Sequence, residues 1–230
     1  MGDRVSLYHE RHERGINLRT TGNGFGGVIR AALFDFGGVI LSSPFEAFAR
    51  YEADQALPAG FLRGLNSTSP DTNAWARLER SEVSFEEFCP LFEEEASEAG
   101  GTIDARQVMA LLAGELRPTM VHAVKACRSR LKTACLTNNF VTGPGSRRPV
   151  MDEMFDAIVE SSRVGVRKPD PRFYTLACEL LEIEPSEAVF LDDLGINLKP
   201  ARAMGMTTIK VEDPDVAIKD LEAVVGFSLR

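Results

Sequence analysis

From Val28 onward the chain alternates short, nearly continuous apolar runs with stretches in which apolar residues recur every three or four positions. The runs Val28 to Phe34, Leu131 to Leu136, Ala157 to Val159, Ala188 to Leu191 and Thr207 to Val211 have the length and texture of buried strands. Between them lie amphipathic stretches. In one, Asp170 stands as an N-cap, Pro171 in the first turn, and Phe173, Leu176, Ala177, Leu180 and Leu181 follow at helical spacing. Strands alternating with helices predict an α/β fold with a mostly parallel sheet covered on both faces. Segment 42–116 breaks the alternation; its Glu, Ala, Leu and Phe content predicts several short helices inserted between the first and second strands. Residues 1–27 show no sustained period and end glycine-rich, which predicts a flexible N-terminal extension. Gly22, Gly24 and Gly27 match GxGxxG, but they precede a strand, whereas phosphate binding needs them between a strand and a helix.

Charge sharpens this division. The 230 residues carry 26 Lys+Arg against 34 Asp+Glu, a net −8, and the acidity is local. Segment 42–116 holds fourteen acids and five arginines, a net −9, whereas residues 117–230 hold sixteen of each sign. An acidic balance argues against a nucleic-acid partner or an anionic membrane surface. No apolar run reaches the roughly 20 residues of a membrane span, and residues 1–27 lack the apolar stretch of a signal peptide. Cys89, Cys127, Cys135 and Cys178 form no CxxC pair, so neither a disulfide framework nor a structural zinc site is expected, and a cytoplasmic location is.

In an open parallel sheet ligands bind beyond the carboxyl ends of the strands, so the residues there carry the candidate chemistry. The first strand runs into Asp35-Phe36-Gly37-Gly38 and the second into Thr137-Asn138-Asn139. Lys168 follows the third, and the fourth ends in Asp192-Asp193. Singly, these are a turn former, a helix cap, a surface lysine and a solvated acidic turn. Together, a carboxylate, a hydroxyl with amides, a cation and a carboxylate pair suit phosphoryl transfer through an aspartyl phosphate with a divalent ion.

With these four positions in order, the sequence resembles the haloacid dehalogenase superfamily of aspartate-nucleophile hydrolases. The stretch Phe190-Leu191-Asp192-Asp193-Leu194-Gly195-Ile196-Asn197 and the ending Gly226-Phe227-Ser228-Leu229-Arg230 are similar to the phosphatase-like domains that precede epoxide hydrolase and acyl-CoA dehydrogenase enzymes. The resemblance implies a Rossmann-like core over 28–41 and 117–230 with a helical cap over 42–116. It implies Asp35 as nucleophile, Lys168 pairing with it, and Thr137, Asn138 and Lys168 as phosphate ligands. It implies magnesium (Mg2+) held by Asp35, the Gly37 carbonyl, Asp192 and Asp193, with Asn197 supporting. The substrate implied is a small-molecule phosphate, with a lipid- or acyl-linked one suggested by the fused relatives.

One departure matters. Active phosphatases of this family carry a second Asp two residues after the nucleophile, and here that position is Gly37. The missing group is the general acid and base, whose loss costs about 10²–10⁴ in rate, or ~3–5 kcal/mol of barrier. Three functions remain open. One is a phosphatase for leaving groups that need little protonation, such as acyl or anomeric sugar phosphates. Another is a metal-independent 2-haloacid dehalogenase. The third is a catalytically reduced binding module. Phe45, Phe48, Phe61, Trp75, Phe85, Phe88 and Phe92 are expected to build mostly cap core, Glu93 to Glu95 a solvated helix face, and Thr142 to Pro149 a surface loop.

Overall fold

The computed structural model describes residues 28–141 and 147–230; the extension over 1–27 and most of the Thr142 to Pro149 loop lie outside the described residues. Five parallel strands form one sheet: β1 (Ala31–Phe34), β2 (Lys132–Thr137), β3 (Ala157–Glu160), β4 (Ala188–Asp192) and β5 (Thr207–Lys210), in the order β3-β2-β1-β4-β5. The expected α/β, Rossmann-like fold is what the chain adopts. The first strand is shorter than its apolar run, because its partners begin opposite Ala31, at Lys132 and Ala188.

Alternation along the strands divides the core. Ala32 and Phe34 of β1, with Val189 and Leu191 of β4, join one buried cluster; Ala31 and Leu33, with Ala188 and Phe190, join the other. The first face is covered by α6 (Pro118–Arg128), α7 (Arg148–Met154) and α11 (Pro214–Val225), the second by α9 (Pro171–Leu181) and α10 (Gly195–Ala203), with the single turn α8 (Ser161–Val164) after β3. In α9 the Asp170 carboxylate accepts from Arg172 N at 2.9 Å as the expected cap. The buried stripe is Phe173, Tyr174, Ala177, Cys178 and Leu181, so Leu180 faces out at 47% exposure.

Between β1 and α6 the chain forms α1 (Phe45–Asp54), α2 (Phe61–Ser67), α3 (Ala74–Glu79), α4 (Phe85–Glu98) and α5 (Ala105–Ala110). Their apolar faces gather a third cluster around Phe88 and Phe92. Pro90 lies inside α4, two residues past the first ladder bond (Phe88 N to Ser84 O), so the Glu86 carbonyl goes without the N–H that position would have supplied. Entry and exit of this insert run side by side: Leu41 bridges Leu116 antiparallel, and Ser42 N donates to Glu115 O at 2.8 Å. The acidic face is more than solvated surface. Glu95 accepts from Ala74 N at 2.7 Å and Glu93 from Ala105 N at 3.0 Å, so two of its carboxylates meet the N-terminal ends of α3 and α5.

Candidate active site

The winding reverses at β1: the chain lays β2 and β3 on one side of it and then β4 and β5 on the other. Asp35 stands one residue beyond this central strand, its N–H donating to Leu191 O at 2.9 Å. Oδ1 of Asp35 accepts from Phe36 N at 2.6 Å and lies 2.9 Å from Lys168 Nζ. Lys168 is 1% exposed and its ammonium also meets Asp192 Oδ2 at 2.7 Å. Burial alone would depress this ammonium, but Asp192 and then Asp35 more than offset it and hold the group charged.

Four further positions divide between support and contact. Asn138 holds the Lys168 backbone reciprocally, accepting from its N–H at 2.8 Å and donating to its carbonyl at 3.0 Å. Asp192 is saturated. It accepts from Leu194 N at 2.8 Å, from Asn197 Nδ2 at 3.0 and 3.1 Å, and from Lys168. Asn197 is itself fixed through its carbonyl, which accepts from the Tyr174 hydroxyl at 2.6 Å. Asp193 lies against Gly38, whose φ of +72° admits no side chain comfortably; a Cβ there would fall 2.2 Å from Asp193 Oδ2.

Asp35, Asp192 and Asp193 each offer an oxygen within 4.8 Å of the others. Burial pushes the Asp35 carboxyl well above the usual carboxylate range, against the pull of Lys168. Burial, with the Asp192 charge behind it, lifts Asp193 to about 6. Three carboxylates against one ammonium leave an excess of negative charge that a hard dication neutralises, and an all-oxygen donor set is the kind such ions take. The residues therefore fit a magnesium ion.

Beside this cluster a cavity of about 410 Å³ opens between the sheet and the insert. Gly37, Thr137 and Asn138 line its inner end, and Leu41, Trp75, Met109, Leu112 and Phe140 give it apolar walls. Of the seven aromatics expected to build cap core, only Trp75 is among its lining residues; Phe88 and Phe92 are core, stacked at 5.1 Å. Two carboxylates reach it, and both are ion-paired. Glu79 lies 2.6 Å from Arg167, and Glu160 meets Arg148 and, at 2.7 Å, Arg163.

Sequence reasoning passed over Glu160 and Arg117 and gave Asn139 no role of its own. Glu160 Oε1 accepts from Asn139 Nδ2 at 2.8 Å and Ser161 Oγ from Asn139 N at 2.9 Å, which ties the Thr137–Asn139 segment to β3. The strand-end rule applied one residue further along β3 reaches Glu160.

A family model for haloacid dehalogenase-like hydrolases matches residues 29–205. The chain belongs to this family. It is a hydrolase of the haloacid dehalogenase type, and its relatives agree. It is 39% identical over 226 residues to mouse acyl-CoA dehydrogenase family member 10, a match covering 95% of this chain and 21% of that protein. It is 36% identical over 219 residues to pig bifunctional epoxide hydrolase 2, covering 87% of this chain and 40% of that protein. The chain thus spans well under half the length of either relative. A solved haloacid dehalogenase family enzyme of Bacteroides thetaiotaomicron, in complex with magnesium and inorganic phosphate, shares its fold. It superposes with a TM-score of 0.56 at 20% identity, covering 80% of this chain and 96% of that one.

Proposed function

We propose that this haloacid dehalogenase-like hydrolase is a magnesium-dependent phosphatase for apolar phosphates whose leaving groups depart without a proton. The observation that carries the reading is the convergence of Asp35, Lys168, Asp192 and Asp193 at the ends of the adjacent strands β1 and β4, beside a cavity lined by Thr137. We also infer a division into a core over 28–41 and 117–230 and a cap over 42–116. Support comes from the separate apolar cluster of the insert and from its paired entry and exit.

Oδ1 of Asp35 is held by Phe36 and Lys168, so attack on phosphorus falls to Oδ2. An Asp35–phosphorus bond forms as the bond from phosphorus to the leaving oxygen breaks; water then releases inorganic phosphate and regenerates the carboxylate. The Thr137 hydroxyl and the Asn138 N–H bind the transferring phosphoryl group. Lys168 offsets the charge of the approaching phosphate and keeps Asp35 oriented. Asp35, Asp193 and the Gly37 carbonyl would hold the magnesium, with Asp192 fixing Lys168; the ion supplies Lewis-acid stabilisation of phosphoryl charge. A fold neighbour holds magnesium and inorganic phosphate together, which supports the choice of ion and of leaving product.

Leaving-group class follows from what the cavity lacks. Gly37 brings no acid, and the carboxylates of Glu79 and Glu160 are each engaged by arginine. The leaving oxygen therefore departs as an anion, which suits acyl and anomeric phosphates. The apolar walls suit a lipid or acyl chain. Four free, buried thiols support a reducing, cytoplasmic setting, and among the described residues no helix is long and apolar enough to cross a membrane.

The test is phosphate release from a panel of esters and acyl phosphates with widely spread leaving-group pKa, with and without magnesium. Activity should require magnesium, fall steeply as leaving-group pKa rises, and disappear in Asp35→Asn. No turnover of any phosphate by a folded, magnesium-binding protein overturns the reading. So does chloride release from 2-haloacids without metal.

A further inference from the structure

The turn after the nucleophile, Phe36 to Ile40, is braced by the return linker of the insert. Arg117 is the last residue before α6, where the chain returns from the insert. Its backbone N–H donates to Ile40 O at 2.8 Å. Its guanidinium Nη1 donates to Gly38 O at 2.7 Å, with Val39 O at 3.4 Å. Gly38 is the residue against whose α-carbon the Asp193 carboxylate packs, and the Gly37 carbonyl is its immediate neighbour in the chain. Directly before Arg117, Glu115 and Leu116 pair with Ser42 and Leu41, with a further bond from Glu115 N to Ser42 Oγ at 3.0 Å. One side chain thus joins the return linker of the insert, the nucleophile turn and the seat of Asp193.

We propose that Arg117 is a positioning residue of the cation site: it fixes the Gly37–Gly38 turn against Asp193 and makes that arrangement depend on the seating of the insert. The inference rests on the magnesium reading above. It also makes a prediction opposite in sign to simple electrostatics. Arg117 is a positive charge near Asp193, and Coulomb repulsion alone says that removing it tightens the binding of a dication. A positioning role says that removing it loosens binding, because the ligands are no longer held where the ion needs them.

The experiment is calorimetric titration of magnesium into the full chain as wild type, Asp193→Asn, Arg117→Ala and Arg117→Lys, with folding followed by circular dichroism. Wild type should bind, and Asp193→Asn should bind at least about tenfold more weakly. Arg117→Ala should weaken binding by roughly tenfold or more, the usual effect of losing a partner that orients metal ligands. Arg117→Lys, which keeps the charge but not the forked donor, should fall between wild type and Arg117→Ala. Should Arg117→Ala fail to fold, Arg117→Lys alone carries the test, with weaker binding expected. Wild-type or tighter affinity in the folded Arg117 variants, with Asp193→Asn impaired, overturns this inference and leaves the magnesium reading standing. A wild type that does not bind magnesium overturns both.

Discussion

Gly37 and Gly38 stand side by side in the nucleophile turn with opposite tolerances. At Gly38 the backbone lies at φ +72° and a Cβ would strike the Asp193 carboxylate, so this position is closed to side chains. At Gly37 φ is −69° and ψ 135°, an extended conformation open to any residue, and an added Cβ meets nothing within 4 Å. The space for the missing acid is therefore present without the acid. Gly37→Asp should fold normally and raise kcat on esters with poor leaving groups, by up to about 10²–10⁴ where proton transfer limits the rate. Acyl phosphates should gain little. Parallel steady-state kinetics on an alkyl and an acyl phosphate check this; equal gains on both would point to a cause other than protonation.

At the scale of elements, the insert is fastened along one edge by α3. Glu79 ends that helix and lies 2.6 Å from Arg167, outside hydrogen-bonding angles, so the attraction is ionic. Trp75 Nε1 donates to Glu79 at 3.0 Å, Arg167 Nη1 to Pro70 O at 2.7 Å, and Ser81 Oγ to Ser162 O at 2.8 Å. Arg167→Ala strands the Glu79 carboxylate. The expected loss is about 2–3 kcal/mol, below the cost of breaking a sealed pair because both groups keep some contact with water. Denaturant titration checks the magnitude, and hydrogen exchange should quicken in α3 before it does in β1. Little of this fastening was legible beforehand. All five strands were: β1 to β4 are largely buried and write themselves as apolar runs, whereas the half-exposed edge strand β5 was read from the Thr207 to Val211 stretch alone. The motif carboxylates, Thr137 and Lys168 were placed by the rule that chemistry follows strand ends. Arg117, Arg167 and Glu79 act across 79 to 88 residues of chain, and no local pattern marks such partners. The same holds for Glu93 and Glu95, whose acceptor roles depend on helices packed beside them.

Over the whole molecule, the acidity has a direction. Of the fourteen insert carboxylates eleven are exposed, Glu52 is buried accepting from Gly60 N and Leu62 N, Glu95 is half-buried, and Glu79 reaches the cavity paired with Arg167. The insert that walls the cavity thus turns most of its net −9 charge to solvent, and such a charge repels an anionic substrate at long range while leaving its bound contacts untouched. For a dianionic phosphate kcat/KM should rise about two- to threefold as ionic strength increases from roughly 0.01 to 0.15 M, because the Debye length shrinks from about 30 to 8 Å. Stopped-flow or steady-state kinetics across that series, with kcat nearly constant, is the check; a fall in kcat/KM means that the approach is steered by a local positive field instead. The way the insert joins the sheet has a different consequence. Because Leu41 and Leu116 face each other as the last rungs of a hairpin, everything beyond them is in effect one very long loop. Ser42 and Glu115 are close enough for a two-residue turn to connect them, so on the proposed division into core and cap the helical segment is separable from the sheet. A lineage could exchange it for another without disturbing the sheet, provided that the newcomer ends in an arginine able to reach back to the nucleophile turn.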